Sequence, residues 1–456
     1  VIKLNKIHNV YFLGIGGIGM SALARFFHTN GMQVAGYDRT PTHLTEQLIA
    51  EGIDVHFKDL PALIPERFRS PENTLIVLTP AIPNDHTELE YFRKNNFVIN
   101  KRSQILGLIT RDKKTIAVAG THGKTTVSTM IAHILSGSTM GCSAFLGGIS
   151  RNYKTNLLLN PQSEWMVAEA DEFDRSFLQL HPQIAVVTAI DPDHLDIYGN
   201  PVVLNEAFDQ FIGQINSLGF LLMKNGLRLN PANMPSRVFT YSLQESTDFY
   251  ADNIQLVNKK YHFDLIGPDT TIRDISLIHP GLINVENAVA AASVATLLDI
   301  NPDMIRRSME NFLGITRRFE IHIETERIVY IDDYAHHPKE LEATINSVRD
   351  LYPGKKITGI FQPHLYSRTR DLADGFAQSL SLLDELILLD IYAAREKPIE
   401  GISAETIFAK VTQKNKTRCS RQDLIQVLRN REIEVLITLG AGDIDTFVEP
   451  IKELFS

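Results

Sequence analysis

Short apolar runs recur along this chain, each followed by a polar turn or a helical pattern. Residues 10–13 read as a strand, 21–30 as a helix and 34–37 as a second strand, with a further buried run at 75–78. That alternation is a βαβ rhythm, and it predicts a parallel sheet with helices on its faces. A polar break at 110–114 precedes a new strand at 115–119 and places a boundary near residue 109. Beyond it, 166–168 and 184–189 are buried runs leading into acidic loops, and 287–298 is a helix rich in Ala and Val. A third block opens after Gly314, with strands at 328–331, 357–361, 385–390 and 434–439 and a helix at 339–348. The pattern predicts an α/β protein of three domains, divided as 1–108, 109–313 and 314–456.

Length agrees, since 456 residues is about three times a typical domain of roughly 150. With 44% hydrophobic and 22% charged residues, a mostly disordered chain is excluded. Lys and Arg number 45 against 54 Asp and Glu, a net charge of -9 that argues against a general nucleic-acid binder. A few placed cations can still hold a phosphorylated substrate. Two cysteines, Cys142 and Cys419, are too few for a disulfide scaffold and suggest a reducing compartment. No apolar stretch of roughly 18 residues predicts a membrane span. Lys3 and Lys6 ahead of 10–13, with Ala22-Leu23-Ala24 behind, loosely imitate a secretory leader. Gly14, Gly16, Gly17 and Gly19 fit a strand-to-helix turn better, so the expectation is a cytoplasmic enzyme.

The strongest chemical signal is Gly120-Thr121-His122-Gly123-Lys124-Thr125-Thr126, directly after an apolar strand. A Gly-rich turn into a helix presents backbone N–H groups to phosphate oxygens, Lys supplies a point charge and the next hydroxyl suits Mg²⁺. Val118 stands where the usual first Gly would be, so the loop is a shorter variant. Acidic clusters follow two later strands, at Glu169-Ala170-Asp171-Glu172 and at Asp191-Pro192-Asp193-His194. Either could be a solvated turn, but after a phosphate loop they suit oxygen-rich ligation of Mg²⁺ rather than zinc. Gly14-x-Gly16-Gly17-x-Gly19 with Asp38 matches a dinucleotide fingerprint, which physically means only that a diphosphate can approach a helix N-terminus. Downstream, Asp332-Asp333-Tyr334-Ala335-His336-His337-Pro338 and Phe361-Gln362-Pro363-His364-Leu365-Tyr366-Ser367-Arg368 each end a strand. The paired His residues suit a surface cap as readily as a site, and Arg368 suits a carboxylate clamp or a surface ion pair.

Taken in order from Gly14 to about residue 443, these segments resemble the Mur ligase family, ATP-dependent amino-acid ligases of peptidoglycan synthesis. The matching stretches also include HPGLINVENAVAA (279–291), RRFE (317–320) and GAGDI (440–444). The resemblance implies a Rossmann-like N-terminal domain for a UDP-muramyl nucleotide, a central P-loop-type ATPase domain and a C-terminal Rossmann-like α/β domain. It implies ligation of L-alanine to the carboxylate of UDP-N-acetylmuramate through an acyl phosphate, by a monomer or homodimer. By position, Gly120, Thr121, Gly123, Lys124, Thr125 and Thr126 would bind ATP phosphates, Asn284 and Asn287 lie near adenine, Arg318 at the phosphates and Asp333 near the ribose. Thr125, Glu169 and His194 would ligate Mg²⁺. Gly14, Gly16, Gly17, Gly19, Met20 and Asp38 would hold the UDP-sugar. His336, His364 and Arg368 would meet the amino acid, and Lys124, His194, Arg318, His336 and Arg368 would carry catalysis. Ile283 replaces a usual His and Leu365 a common Arg, which leaves Arg368 as the carboxylate anchor. A sister UDP-muramyl peptide ligase, a folate-polyglutamate ligase, a nicotinamide-dependent oxidoreductase and a nucleotide switch stay open as alternatives.

Overall fold

The computed structural model describes residues 7–192, 195–235, 237–394 and 396–456. Its first sheet contains β1 (Asn9–Leu13), β2 (Gln33–Tyr37), β3 (Asp54–His56), β4 (Thr74–Leu78) and β5 (Val98–Lys101). They lie in the order β3-β2-β1-β4-β5, with every neighbouring pair parallel. The winding direction reverses between β1 and β4, so a crevice opens at their C-terminal ends. Gly14 follows β1 at that point, and the helix Ile18–Thr29 starts behind it.

The second sheet has ten strands. These are β6 (Lys114–Ala119), β7 (Ser143–Ser150), β8 (Thr155–Leu158), β9 (Trp165–Ala170), β10 (Ile184–Val187), β11 (Phe220–Lys224), β12 (Val238–Ser242), β13 (Phe249–Val257), β14 (Lys260–Ile266) and β15 (Thr271–Leu277). The order is β15-β14-β13-β12-β11-β10-β6-β9-β7-β8, parallel from β13 to β7 and antiparallel at both ends. Side chains of β6 alternate between two cores: Ile116 and Val118 join one, Ala117 and Ala119 the other. A strand buried on both faces reads as an unbroken apolar run, which is why this one was legible.

The third sheet contains β16 (Glu320–Glu324), β17 (Val329–Asp333), β18 (Ile357–Phe361), β19 (Glu385–Leu388), β20 (Lys416–Arg418) and β21 (Val435–Leu439). Its order is β16-β17-β21-β18-β19-β20, with β16 alone antiparallel to its neighbour. Three α/β units in one chain match the expected fold class.

The structure corrects several boundaries. The Ala/Val-rich helix runs Leu282–Leu297 and starts five residues earlier than its apolar pattern suggested, after Gly281 at φ 101. Asn284 and Asn287 therefore sit inside its first turns. The run at 184–189 ends as a strand at Val187, because the Thr188 hydroxyl turns to bond the carbonyls of Ala119 and His122. The acids Glu169, Asp332 and Asp333 belong to strands rather than loops. The antiparallel strands β7–β8 and β13–β15 were not predicted. The β13–β14 turn uses Asn258 and Lys259, both at positive φ, without the Gly that usually signals such a hairpin.

The helix Leu282–Leu297 packs on Lys124–Gly137, and nearly all its middle residues are buried. Small side chains let two helices approach closely against the sheet beneath the phosphate loop. Ala291→Leu adds three heavy atoms to a fully buried position, an overpacking that costs about 1–3 kcal/mol. Urea denaturation followed by tryptophan fluorescence should show a lowered midpoint; an unchanged midpoint would mean this packing is loose.

Candidate functional site

The phosphate loop sits at the C-terminal end of β6. Gly120 has φ 136 and Gly123 has φ 80, conformations that L side chains rarely adopt. A Cβ at Gly120 would run into the Thr188 hydroxyl, and one at Gly123 would come 2.8 Å from Asn287 Oδ1. Gly123 caps the helix Lys124–Gly137 without a side-chain bond, so the first N–H groups face the loop.

Lys124 Nζ donates to the Gly120 carbonyl at 2.7 Å and lies 2.9 Å from Glu172 Oε2. Burial alone would lower the lysine pKa, but Glu172, Asp171 and Glu169 outweigh it and raise the value above the ordinary range. Thr125 Oγ1 donates to Glu169 Oε2 at 2.8 Å, and burial pushes the Glu169 carboxyl upwards. A hydroxyl and a carboxylate so placed form an oxygen donor pair able to hold a hard divalent cation. Gly147 is required opposite, because a Cβ there would fall on the Glu169 carboxylate. His194, the third expected ligand, lies outside the described residues, and among those described no group of three or more His, Cys, Asp or Glu is arranged to hold a metal.

Three cavities meet around this loop. One, of about 290 Å³, is lined by Gly17, Gly19 and Met20 with Lys101 and Arg102. It shares Gly147, Glu169 and Asp171 with a second, of about 360 Å³, that contains Lys124, Thr125, Arg318 and His336. The second shares His122, Gly123, Arg318 and Glu340 with a third, of about 200 Å³, holding Asn284, Asn287 and Asp333. Gly17, Gly19 and Met20, the phosphate loop from Thr121 to Thr126, and Asn284, Asn287 and Asp333 thus line one continuous path, whereas His364 and Arg368 are not among the residues lining it. Gly14, Gly16 and Asp38 support its first part from behind: Asp38 Oδ2 accepts the Gly16 N–H at 2.7 Å, holding the turn.

Of the C-terminal residues, Arg318, Tyr334 and His336 line the middle cavity and Asp333 the third. Asp333 accepts the N–H groups of Phe319 and Ala335, each at 2.7 Å, and burial raises its pKa to about 6 against the opposing pull of Arg318. Arg318 lies over the Tyr334 ring at 5.0 Å. His337 does cap the helix Pro338–Leu351, accepting from the Lys339 N–H, yet it is buried rather than on the surface. His336 Nδ1 is 2.9 Å from the Tyr334 carbonyl, and its ring lies 6.2 Å from that of His364. Arg368 is buried rather than on the surface, with Nη1 3.3 Å from His364 Nδ1. Leu365 holds a positive φ of 70 and turns its side chain into the core.

Three family models match in chain order. They are the Mur ligase family catalytic domain over 9–114, the Mur ligase middle domain over 118–295 and the Mur ligase glutamate ligase domain over 317–442. The chain belongs to the Mur ligase family. This Mur ligase is 52% identical to the UDP-N-acetylmuramate–L-alanine ligase of Parabacteroides distasonis, over 99% of this chain and 98% of the relative. Among solved structures it is similar to the UDP-N-acetylmuramate-alanine ligase of Thermotoga maritima, with TM-score 0.83, 26% identity and coverage of 98% and 99% of the two chains. It shares its fold with a murein peptide ligase from Psychrobacter arcticus at TM-score 0.71, 20% identity and 98% coverage of both chains.

Several residues in this Mur ligase site carried no sequence signal of their own. Lys101 and Arg102 reach across to the central domain and pair with Asp174 at 2.6 Å and Asp171 at 3.3 Å. Lys339 pairs with Asp191 at 2.5 Å, joining the second and third domains. Glu340 lies among His336, His122 and Arg318; burial works to raise its pKa, and those three groups hold it well below the usual carboxylate range. Glu172 was visible only as one acid in a run.

Glu172 is fully buried, and Lys124 is a cation that faces it at 2.9 Å. Lys124→Ala should therefore destabilise the ligand-free protein by roughly 3–5 kcal/mol, and adding Glu172→Gln should recover most of the loss. Urea melts of both variants check this. Equal stability of wild type and Lys124→Ala would show that the pair is not tightly coupled.

Proposed function

We propose that this chain joins L-alanine to the carboxylate of UDP-N-acetylmuramate with ATP, releasing ADP and phosphate, as a step in peptidoglycan precursor synthesis. The observation that carries the reading is the continuous path from the N-terminal glycine turn, past the phosphate loop, to the nucleotide cavity. The full-length likeness to L-alanine ligases supplies the substrates. We assign residues 1–108 to the UDP-sugar, 109–313 to ATP and 314–456 to ATP and the amino acid.

A carboxylate is a poor electrophile towards an amine and must first be activated. The muramyl carboxylate, brought through the first cavity by the turn Gly14–Gly19 with Lys101 and Arg102, attacks the γ-phosphoryl group at the second. The carboxylate oxygen–phosphorus bond forms as the bond to ADP breaks. Lys124 and Arg318 offset the charge that spreads over the transferring group. The donor set fits Mg²⁺, which Thr125, Glu169 and, by sequence position, His194 would hold; bound there, it neutralises phosphate oxygens. Asn284, Asn287 and Asp333 bind the nucleoside end.

The amine then displaces phosphate. A carbonyl can only accept, so the His336 nitrogen facing Tyr334 carries the hydrogen, and whenever the ring is neutral its lone pair is on Nε2. That atom suits the proton leaving the amine. Arg368, oriented by His364, anchors the carboxylate of the amino acid.

In this route one carboxylate oxygen becomes the bridge of an acyl phosphate and leaves with the phosphate. UDP-N-acetylmuramate labelled with ¹⁸O in that carboxylate, incubated with ATP and L-alanine, should yield inorganic phosphate carrying one labelled oxygen per amide formed. Label in AMP, or pyrophosphate as product, would replace phosphorylation by adenylation. Turnover with a peptide but not with L-alanine would overturn the choice of amine.

A further inference from the structure

One side chain lies between the groups assigned to phosphate and those assigned to the amine, without belonging to either. Glu340 is in the first turn of the helix Pro338–Leu351 and lines both the middle cavity and the nucleotide cavity. Its Oε1 is 3.3 Å from Nδ1 of His122 on the phosphate loop and 3.8 Å from Nη1 of Arg318. Its Oε2 accepts the His336 N–H at 3.0 Å and lies 3.3 Å from His336 Nδ1. One carboxylate thus reaches three segments: the central phosphate loop, the stretch after Gly314, and the turn that carries the candidate base.

His122 is held from several directions. Its Nε2 is 3.6 Å from Asp191 of the central domain, while Asp191 also receives Lys339, the neighbour of Glu340. Its ring packs 4.5 Å from that of His337. A phosphate loop needs glycines, a lysine and a hydroxyl for phosphate; a histidine turned towards the C-terminal domain has no such duty. A buried ionic hub is also a weak source of net stability, since desolvation opposes the Coulomb attraction. Its consequence is geometric.

We infer that Glu340 is a positioning residue, which sets the phosphate loop, Arg318 and His336 in register when the third domain is docked on the second. The inference rests on the ligase reading for what those groups do. A displacement of about 1 Å at a reacting centre costs on the order of a hundredfold in rate.

The test uses the full chain as wild type, Glu340→Ala, Glu340→Gln, His122→Ala and Glu340→Ala/His122→Ala. Phosphate release is measured with ATP, UDP-N-acetylmuramate and L-alanine, and ADP affinity by calorimetry. Glu340→Ala should lower kcat by about a hundredfold with the KM for the UDP-sugar changed less than about twofold. Glu340→Gln, which keeps an oxygen for the His336 N–H, should fall between. The double variant should be no slower than the slower single, and should bind ADP no more weakly, because both changes cut one connection. Additive losses in the double variant, wild-type kcat in Glu340→Ala, or a general rise in every KM would overturn the inference. A wild-type chain that releases no phosphate with L-alanine would instead sink the ligase reading, and the ADP cycle would still decide whether Glu340 and His122 act together.

Discussion

Taking the ammonium group of Lys124 out of water sets the terms for everything around it. A buried lysine without partners would lose its proton or its place, since the effective penalty is several kcal/mol per ion. Here the fully buried Glu172 lies 2.9 Å away, with Asp171 and Glu169 behind it, and the lysine stays charged. The same carboxylates exceed it in number, so the pocket favours a cation, and burial leaves Glu169 with a raised pKa beside the Thr125 hydroxyl. Gly147 is demanded by this crowding, since a Cβ there would strike the Glu169 carboxylate, while Gly120 and Gly123 are held at positive φ and would also strike Thr188 and Asn287.

That charged pocket can be shared by three domains because each sheet brings its own groups to it. The turn after β1, the loop after β6, the acid ending β9 and the turn after β17 all leave C-terminal ends of strands, where α/β sheets leave room for ligands. Ion pairs from both sides then close around the loop. Lys101 and Arg102 approach from the first domain, and Lys339 and Glu340 from the third. The result is a path of three connected cavities whose shared walls, Glu169 with Asp171 and Arg318 with Glu340, are the charged groups themselves.

Strands buried on both faces were easy to read, because a run such as Ile116-Ala117-Val118-Ala119 has no polar side to confuse it. The hairpin β13–β14 was not, because the second half of β13 is largely exposed and its turn lacks Gly. The helix Leu282–Leu297 was expected to start five residues later, at Asn287, since the polar Asn284 and Glu286 break its first turn when only apolar periodicity is counted. The Asn284 amide bonds the Pro280 carbonyl and accepts from Asn287, which satisfies it inside the helix.

The sequence by itself determined the α/β class, the glycine turns and the short-range order of strand, loop and helix around Gly14 and Lys124. It also carried the family resemblance, because those features depend on neighbours within a few residues. Tertiary structure decided which carboxylate faces Lys124, that Arg368 is buried against His364, and that Glu340 meets His122 across 218 positions. Such pairings have no local period or composition to announce them. They arise when desolvated charges from separate sheets are brought within reach of one another, and only the packed fold sets those distances.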